Sequence, residues 1–152
     1  MSEAPDPSDI RNWQRRDERV TTSGKLEAND VDRLAAIGVR HVVNLALDDH
    51  PEALADERAL LEGSGIEYTH IPVPFDAPTR SHVNELRAVL DRVQSPVHVH
   101  CIMNYRVAAF FYLLDLDNGV SEHEAQARMA EIWNPLESDD PRTLPWQKLL
   151  SQ

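Results

Sequence analysis

A single cysteine, Cys101, leaves no possibility of an internal disulfide, so the thiol is either a small buried hydrophobe or a reactive group. Five glycines set against ten prolines exclude collagen-like and low-complexity architectures. No apolar run approaches the ~18 residues of a membrane-spanning helix. The opening "MSEAPDPSDI" lacks the basic-then-apolar order of a secretory signal, and the expected location is cytoplasmic, without membrane association. Basic residues are also scarce: 15 Lys and Arg face 26 Asp and Glu, for a formal net charge of -11 and a pI near 4.9. That balance works against nucleic-acid backbones and anionic membranes, which need clustered cations. The local exception, "RNWQRRDER" at 11–19, reads as a solvated surface segment without function. There is no internal repeat and no linker. A hydrophobic content of 41% in 152 residues suits one self-contained core, with residues 1–10 as a flexible lead-in and 11–152 as a single domain.

What is present alternates between β-like and α-like patterns, the order that builds a parallel sheet wrapped by helices. "RVTTSG" (19–24) predicts a strand, and Val31, Leu34 and Ala35 recur at helical spacing before Gly38 stops the helix. "HVVNLAL" (41–47) is the near-continuous apolar run of a strand covered on both faces. A helix is expected from Pro51, with Leu54, Leu60 and Leu61 inward and Gly63 and Gly65 at its end. "IEYTHIPV" (66–73) is a strand stopped by Pro72 and Pro74, and Thr79 can cap a helix with a stripe of Val83, Leu86, Val89, Leu90 and Val93. "PVHVH" (96–100) is the next strand. The run 104–116 is apolar on nearly every side and should form a central helix. "SEHE" (121–124) opens a further helix through Trp133, and a short last helix is expected at 144–150.

Cys101 therefore falls at the carboxyl end of a buried parallel strand where the chain turns into a helix, the place where open α/β sheets bind ligands. The turn and the helix start offer N–H groups and a positive end suited to a tetrahedral oxyanion. Such surroundings favour thiolate over thiol, and cysteines so placed can have pKa values of ~3.5 to 7.5. Arg106 can grip two oxygens of a phosphate or sulfate and hold the central atom in line with the sulfur. His98 and His100 would share one strand face, but two histidines without a CxxC partner are too few for a zinc site, so no metal is expected.

The stretch "HCIMNYR" resembles the His-Cys signature loop of cysteine-dependent phosphatases. "RVTTSGKLEANDVDRLAAIGVRHVVNLAL" is similar to the opening of their small dual-specificity-like and beta-lactamase-hydrolase-like branch, and "YTHIPVPFDAPT" resembles the stretch that carries their mobile general acid. The likeness covers roughly residues 19–133. It implies a three-layer α/β/α fold in which a central, mostly parallel sheet of four to five strands is flanked by helices. It implies Cys101 as the nucleophile, Arg106 as the phosphate clamp and Asp76 as the acid. His100 would support the loop, and Ile102, Met103, Asn104 and Tyr105 would surround the substrate. The implied activity is hydrolysis of phosphate monoesters on a phosphorylated protein or small molecule, with no cofactor. By itself, Asp76 also reads as an ordinary turn aspartate, and Ile102, Met103 and Tyr105 as packing residues.

Two departures bear on that expectation. Only four residues separate Cys101 from Arg106, where most such phosphatases have five and rhodanese-type sulfurtransferases have "CxxGxR". Asn104 occupies the glycine position, and asparagine tolerates the left-handed backbone next best. Val107 stands where the family usually has Ser or Thr to ease departure of the thiolate, which predicts slow breakdown of a phosphocysteine. A persulfide-carrying sulfurtransferase and a catalytically weak anion-binding module are the alternative readings.

Overall fold

In the computed structural model, which describes residues 4–151, five strands make one sheet in the order β1-β2-β5-β3-β4. The strands are β1 (Gln14–Arg15), β2 (Val20–Ser23), β3 (His41–Asn44), β4 (Glu67–His70) and β5 (Val97–His100). All neighbours are parallel except β1, which pairs antiparallel with β2 at the edge. The helices are α1 (Asp30–Ala36), α2 (Glu57–Gly63), α3 (Arg80–Arg92), α4 (Tyr105–Asp117), α5 (Glu122–Ala130) and α6 (Leu144–Leu150). Among the described residues no helix is long and apolar enough to cross a membrane.

The strand period of two divides the apolar residues between two layers. Val43, Val97 and Val99 join Val83 and Leu86 of α3, Phe110 of α4, Met129 of α5 and Trp146 of α6 in the larger core. Val42 looks the other way and packs with Val31 and Leu34 of α1 and Leu61 of α2. The expected three-layer α/β/α architecture results. α4 is buried on nearly all sides, as its unbroken apolar sequence requires. Thr79 caps α3 through a reciprocal pair with His82, and Ser121 caps α5 by accepting from the Glu124 N–H.

Several local expectations differ from what forms. The helix anticipated from Pro51 begins only at Glu57, because residues 51–56 are spent in turns and Asp56 takes a left-handed backbone at φ 57°. Leu60 consequently faces outward at 37% exposure, while Leu61 is buried. α5 stops at Ala130, three residues before Trp133. Of the anticipated lead-in, residues 1–3 lie outside the described residues, whereas Ile10 is inserted into the smaller core and Asp6 pairs with Arg15.

The arginine-rich segment 11–19 is structural rather than merely solvated. Arg16 reaches Asp115 of α4 at 2.5 Å, with both side chains at or below 10% exposure. Arg19 donates to the carbonyls of Leu90 and Val93, which the end of α3 leaves unpaired. Trp13 stacks on His98.

Candidate active site

β5 lies between β2 and β3, so the chain crosses over β5 on its way out and returns to it later. This reversal opens a crevice at the carboxyl ends of the strands. Ser23, His100, Asn44 and His70 align there as one polar row across the sheet. Cys101 is the next residue of β5's chain, only 1% exposed, with its N–H directed at the Ser23 carbonyl.

The loop that follows has every early carbonyl taken from outside. Cys101 O faces His100 Nδ1 at 3.1 Å, Ile102 O accepts from Lys25 N–H at 2.8 Å and Arg11 Nη1 at 3.5 Å, and Met103 O accepts from Asn12 Nδ2 at 2.9 Å. In a trans peptide the N–H points opposite to the preceding C=O. Pulling those carbonyls outward therefore turns the N–H groups of residues 102–104 inward, and the first turn of α4 adds those of 105–107. Among the described residues, nothing in the protein accepts from these six N–H groups.

Two residues allow the turn. Asn104 adopts the left-handed backbone, at φ 68° and ψ 7°, and its Nδ2 donates to Asn12 O at 2.8 Å and Thr22 Oγ1 at 3.1 Å. Its exchange for the glycine of shorter loops is thus accommodated sterically and by hydrogen bonds. Gly24 passes so close that an added Cβ would sit 2.5 Å from Ile102 O, which excludes any larger residue without moving the loop.

Arg106 starts in α4 and is 93% buried, its exposure being 7%. Its Nη1 donates to Val73 O at 3.2 Å, and its guanidinium lies 5.7 Å from the Phe75 ring. Its Nε has no partner, and among the described residues no carboxylate pairs with it. A buried cation without a counter-ion is costly. Together with the inward N–H groups it makes a cradle that a tetrahedral anion would complete, directly beside Cys101.

Behind the cradle, sequence reasoning missed Glu57. Its carboxylate is buried at 6% exposure, facing His100 Nε2 at 2.5 Å and accepting from Asn44 Nδ2 at 3.3 Å. Asn44 also donates to the Tyr68 hydroxyl at 3.1 Å, and burial, aided by the Glu57 charge, pushes the Tyr68 phenol up to about 12. His98, by contrast, is fully enclosed between Thr21 Oγ1 and Ser23 Oγ, both at 2.8 Å. Burial first, and His100 second, hold it well below the ordinary histidine range, so it stays neutral. The two histidines thus share a face but have separate partners. Among the described residues no group of three His, Cys, Asp or Glu is placed to hold a metal.

The loop residues Ile102, Met103, Asn104 and Tyr105 surround the cradle as one segment. Ile102 and Asn104 are buried, while Met103 and Tyr105 are half-buried, and Tyr105 stacks on Trp133 at 4.8 Å between centroids. Asp76 lies apart from them. It is exposed in the turn after β4, on an open cleft shared with Thr79, Leu144 and Lys148, and no side chain among the described residues engages its carboxyl. Its neighbour Phe75 does connect to the site. The Phe75 ring touches Trp133 and Trp146, and its carbonyl accepts from Trp146 Nε1 at 2.7 Å.

Residues 13–115 match the family model of the beta-lactamase hydrolase-like protein, phosphatase-like domain. The chain belongs to this family. This phosphatase-like domain resembles the crystal structure of a candidate DUF442 phosphatase from Shewanella putrefaciens CN-32, at 30% identity and a TM-score of 0.80 over 95% of this chain and 91% of the other. P. aeruginosa TpbA, solved as a cysteine-to-serine variant in complex with phosphotyrosine, superposes at a TM-score of 0.74 and 22% identity over 97% and 86% of the two chains. Tk-PTP in its active form gives 0.69 and 25% over 91% and 95%. A search of curated proteins found no match. The fold is that of the cysteine-based phosphatases, as the sequence resemblance implied.

Proposed function

We propose that the protein hydrolyses phosphate monoesters through a covalent phosphocysteine on Cys101. The observation that carries this reading is the buried, carboxylate-free guanidinium of Arg106, set with the inward N–H groups of the loop against the thiol. The Cys101 thiolate attacks phosphorus while the P–O ester bond breaks, and Asp76 gives its proton to the leaving oxygen. Water then attacks phosphorus, the S–P bond breaks, and Asp76 takes up the water's proton. Arg106 and the loop N–H groups hold the three equatorial oxygens throughout. Met103, Tyr105 and Phe75 give the mouth an apolar rim, which fits an aryl phosphate such as the phosphotyrosine bound by TpbA. The thiolate, guanidinium and carboxyl suffice, so the scheme requires no metal or cofactor.

The four-residue spacing between Cys101 and Arg106 favours one other reading, a sulfurtransferase in which Cys101 carries a persulfide. Hydrolysis of p-nitrophenyl phosphate by the wild type and by Cys101→Ser, with EDTA and with vanadate, separates the two when run beside thiocyanate release from thiosulfate and cyanide. We expect EDTA-resistant, vanadate-sensitive hydrolysis that Cys101→Ser abolishes, and a rapid burst of nitrophenol before a slower steady rate, because Val107 offers no hydroxyl to the departing thiolate. Sulfur transfer without hydrolysis would replace the phosphatase reading. A linear time course from the first turnover would remove the role given to Val107.

A further inference from the structure

His100 faces two groups at once. The Cys101 carbonyl, 3.1 Å from Nδ1, can only accept, so Nδ1 must carry a proton. The Glu57 carboxyl, 2.5 Å from Nε2, is acceptor-only when ionised, so the remaining proton of the pair lies on Nε2 or on the carboxyl. A neutral imidazole can serve one of two acceptors, and an imidazolium serves both.

Both members of the pair are buried. Glu57 is 6% exposed, and among the described residues His100 is its only cationic partner. Its second oxygen accepts from Asn44 Nδ2, a bond that adds stability to the carboxylate. The other groups near His100 leave this pairing intact. Tyr68 on β4 remains a neutral phenol, and His98, on the same strand and 6.3 Å away between ring centroids, remains a neutral imidazole. Lys25 and Glu52, which line the small crevice with His100, pair with each other, and Arg11 also engages Glu52. Arg106 stands on the far side of the loop, against Val73.

We infer that Glu57 is a positioning residue that holds His100 as an imidazolium against the back of the Cys101 loop. Two consequences follow from one carboxylate. The Nδ1–H bond keeps the Cys101 carbonyl turned outward, which aims the Ile102 N–H into the cradle. The imidazolium also places positive charge behind the sulfur, where it favours the thiolate over the thiol. Glu57 touches neither substrate nor sulfur and acts only through His100. The assignment rests on the reading of Cys101 as a nucleophile.

Alkylation of Cys101 by iodoacetamide across pH 5 to 10 tests it without requiring phosphate turnover. The variants are Glu57→Gln, which keeps the size and hydrogen-bonding capacity of the side chain but removes its charge, and Glu57→Asp, which keeps the charge on a shorter arm. The Glu57→Gln profile should move to higher pH by about one unit, a roughly tenfold slower reaction at pH 6 that converges with wild type at high pH. Glu57→Asp should fall between the two. In the wild type, labelled with 15N-histidine, both ring nitrogens of His100 should carry the protonated signature at neutral pH. That measurement requires no variant to fold. An alkylation profile unchanged in Glu57→Gln, or a His100 spectrum showing one bare nitrogen, would overturn the role of Glu57 alone. A wild-type thiol no more reactive at neutral pH than free cysteine would overturn the nucleophile reading and this inference with it.

Discussion

The loop from Cys101 to Arg106 and the loop from Pro74 to Thr79 both follow parallel strands, yet they are held in opposite ways. The first is tied through its carbonyls, through Asn104 and through the close passage of Gly24, with contacts reaching back to residues 11, 12, 22 and 25. The second leaves its aspartate in solvent and is fastened by the Trp146 bond to Phe75 O and by aromatic packing. A group that must hold charge at a fixed point needs hydrogen bonds already made. A group that must approach a leaving oxygen, and later a water, is served by a looser attachment. In the proposed mechanism the contrast gives fixed geometry to the anion cradle and adjustable geometry to Asp76.

Arg106→Lys attacks the fixed side and should give the largest effect. It keeps a charge but loses the planar fork, so kcat/KM for p-nitrophenyl phosphate should fall by about 10²–10³-fold. A loss below tenfold would show that the guanidinium geometry is dispensable. Asp76→Asn attacks the adjustable side. Its cost should depend on the leaving group, falling toward the low end of ~10²–10⁴-fold for nitrophenol and rising for an alkyl alcohol that needs its proton more. Equal losses on both substrates would deny Asp76 the role of acid. Trp146→Phe removes the tether to Phe75 O together with part of a fully buried ring, and should lower unfolding stability by about 1–3 kcal/mol while reducing kcat less than Asp76→Asn does. A larger kcat loss than that of Asp76→Asn would mean that the acid loop is as tightly fixed as the cradle.

The four parallel strands were legible because β-branched runs bounded by turn residues have few other uses. β1 was not, since Gln14 and Arg15, which pair with Thr22 and Thr21, carry no apolar alternation. The arginines around it looked like solvent-facing charge because sequence cannot tell that Asp115, a hundred residues away, lies opposite Arg16. Pro51 signalled a helix start, but the left-handed backbone at Asp56 delayed it to Glu57. Contiguity explains how much of the site could be read: His100, Cys101, Asn104 and Arg106 fall within one short segment, and the left-handed asparagine followed from its residue type. Glu57 looked like an ordinary polar residue of "ERALLEG", and only the fold brings it under His100. The segment holding Asp76 was located by its pattern, while the aromatic tether through Trp133 and Trp146 joins elements whose mutual approach only the fold shows.

His98 has a consequence for acid tolerance. Enclosed by Thr21, Ser23 and Trp13, it resists taking a proton in the folded state, whereas in the unfolded chain it binds one near its usual value of 6.5. Above that value neither state is protonated there, and the histidine's full contribution to stability is present. As the pH falls below it, the unfolded chain gains the proton first, and stability declines until the folded value is reached. Buried His41, lowered mainly by its own burial, adds in the same direction. The fall in urea midpoint between about pH 6.5 and pH 5 should therefore be shallower in His98→Gln than in the wild type. The strand that leads into Cys101 would then also limit the acidity in which the protein remains folded.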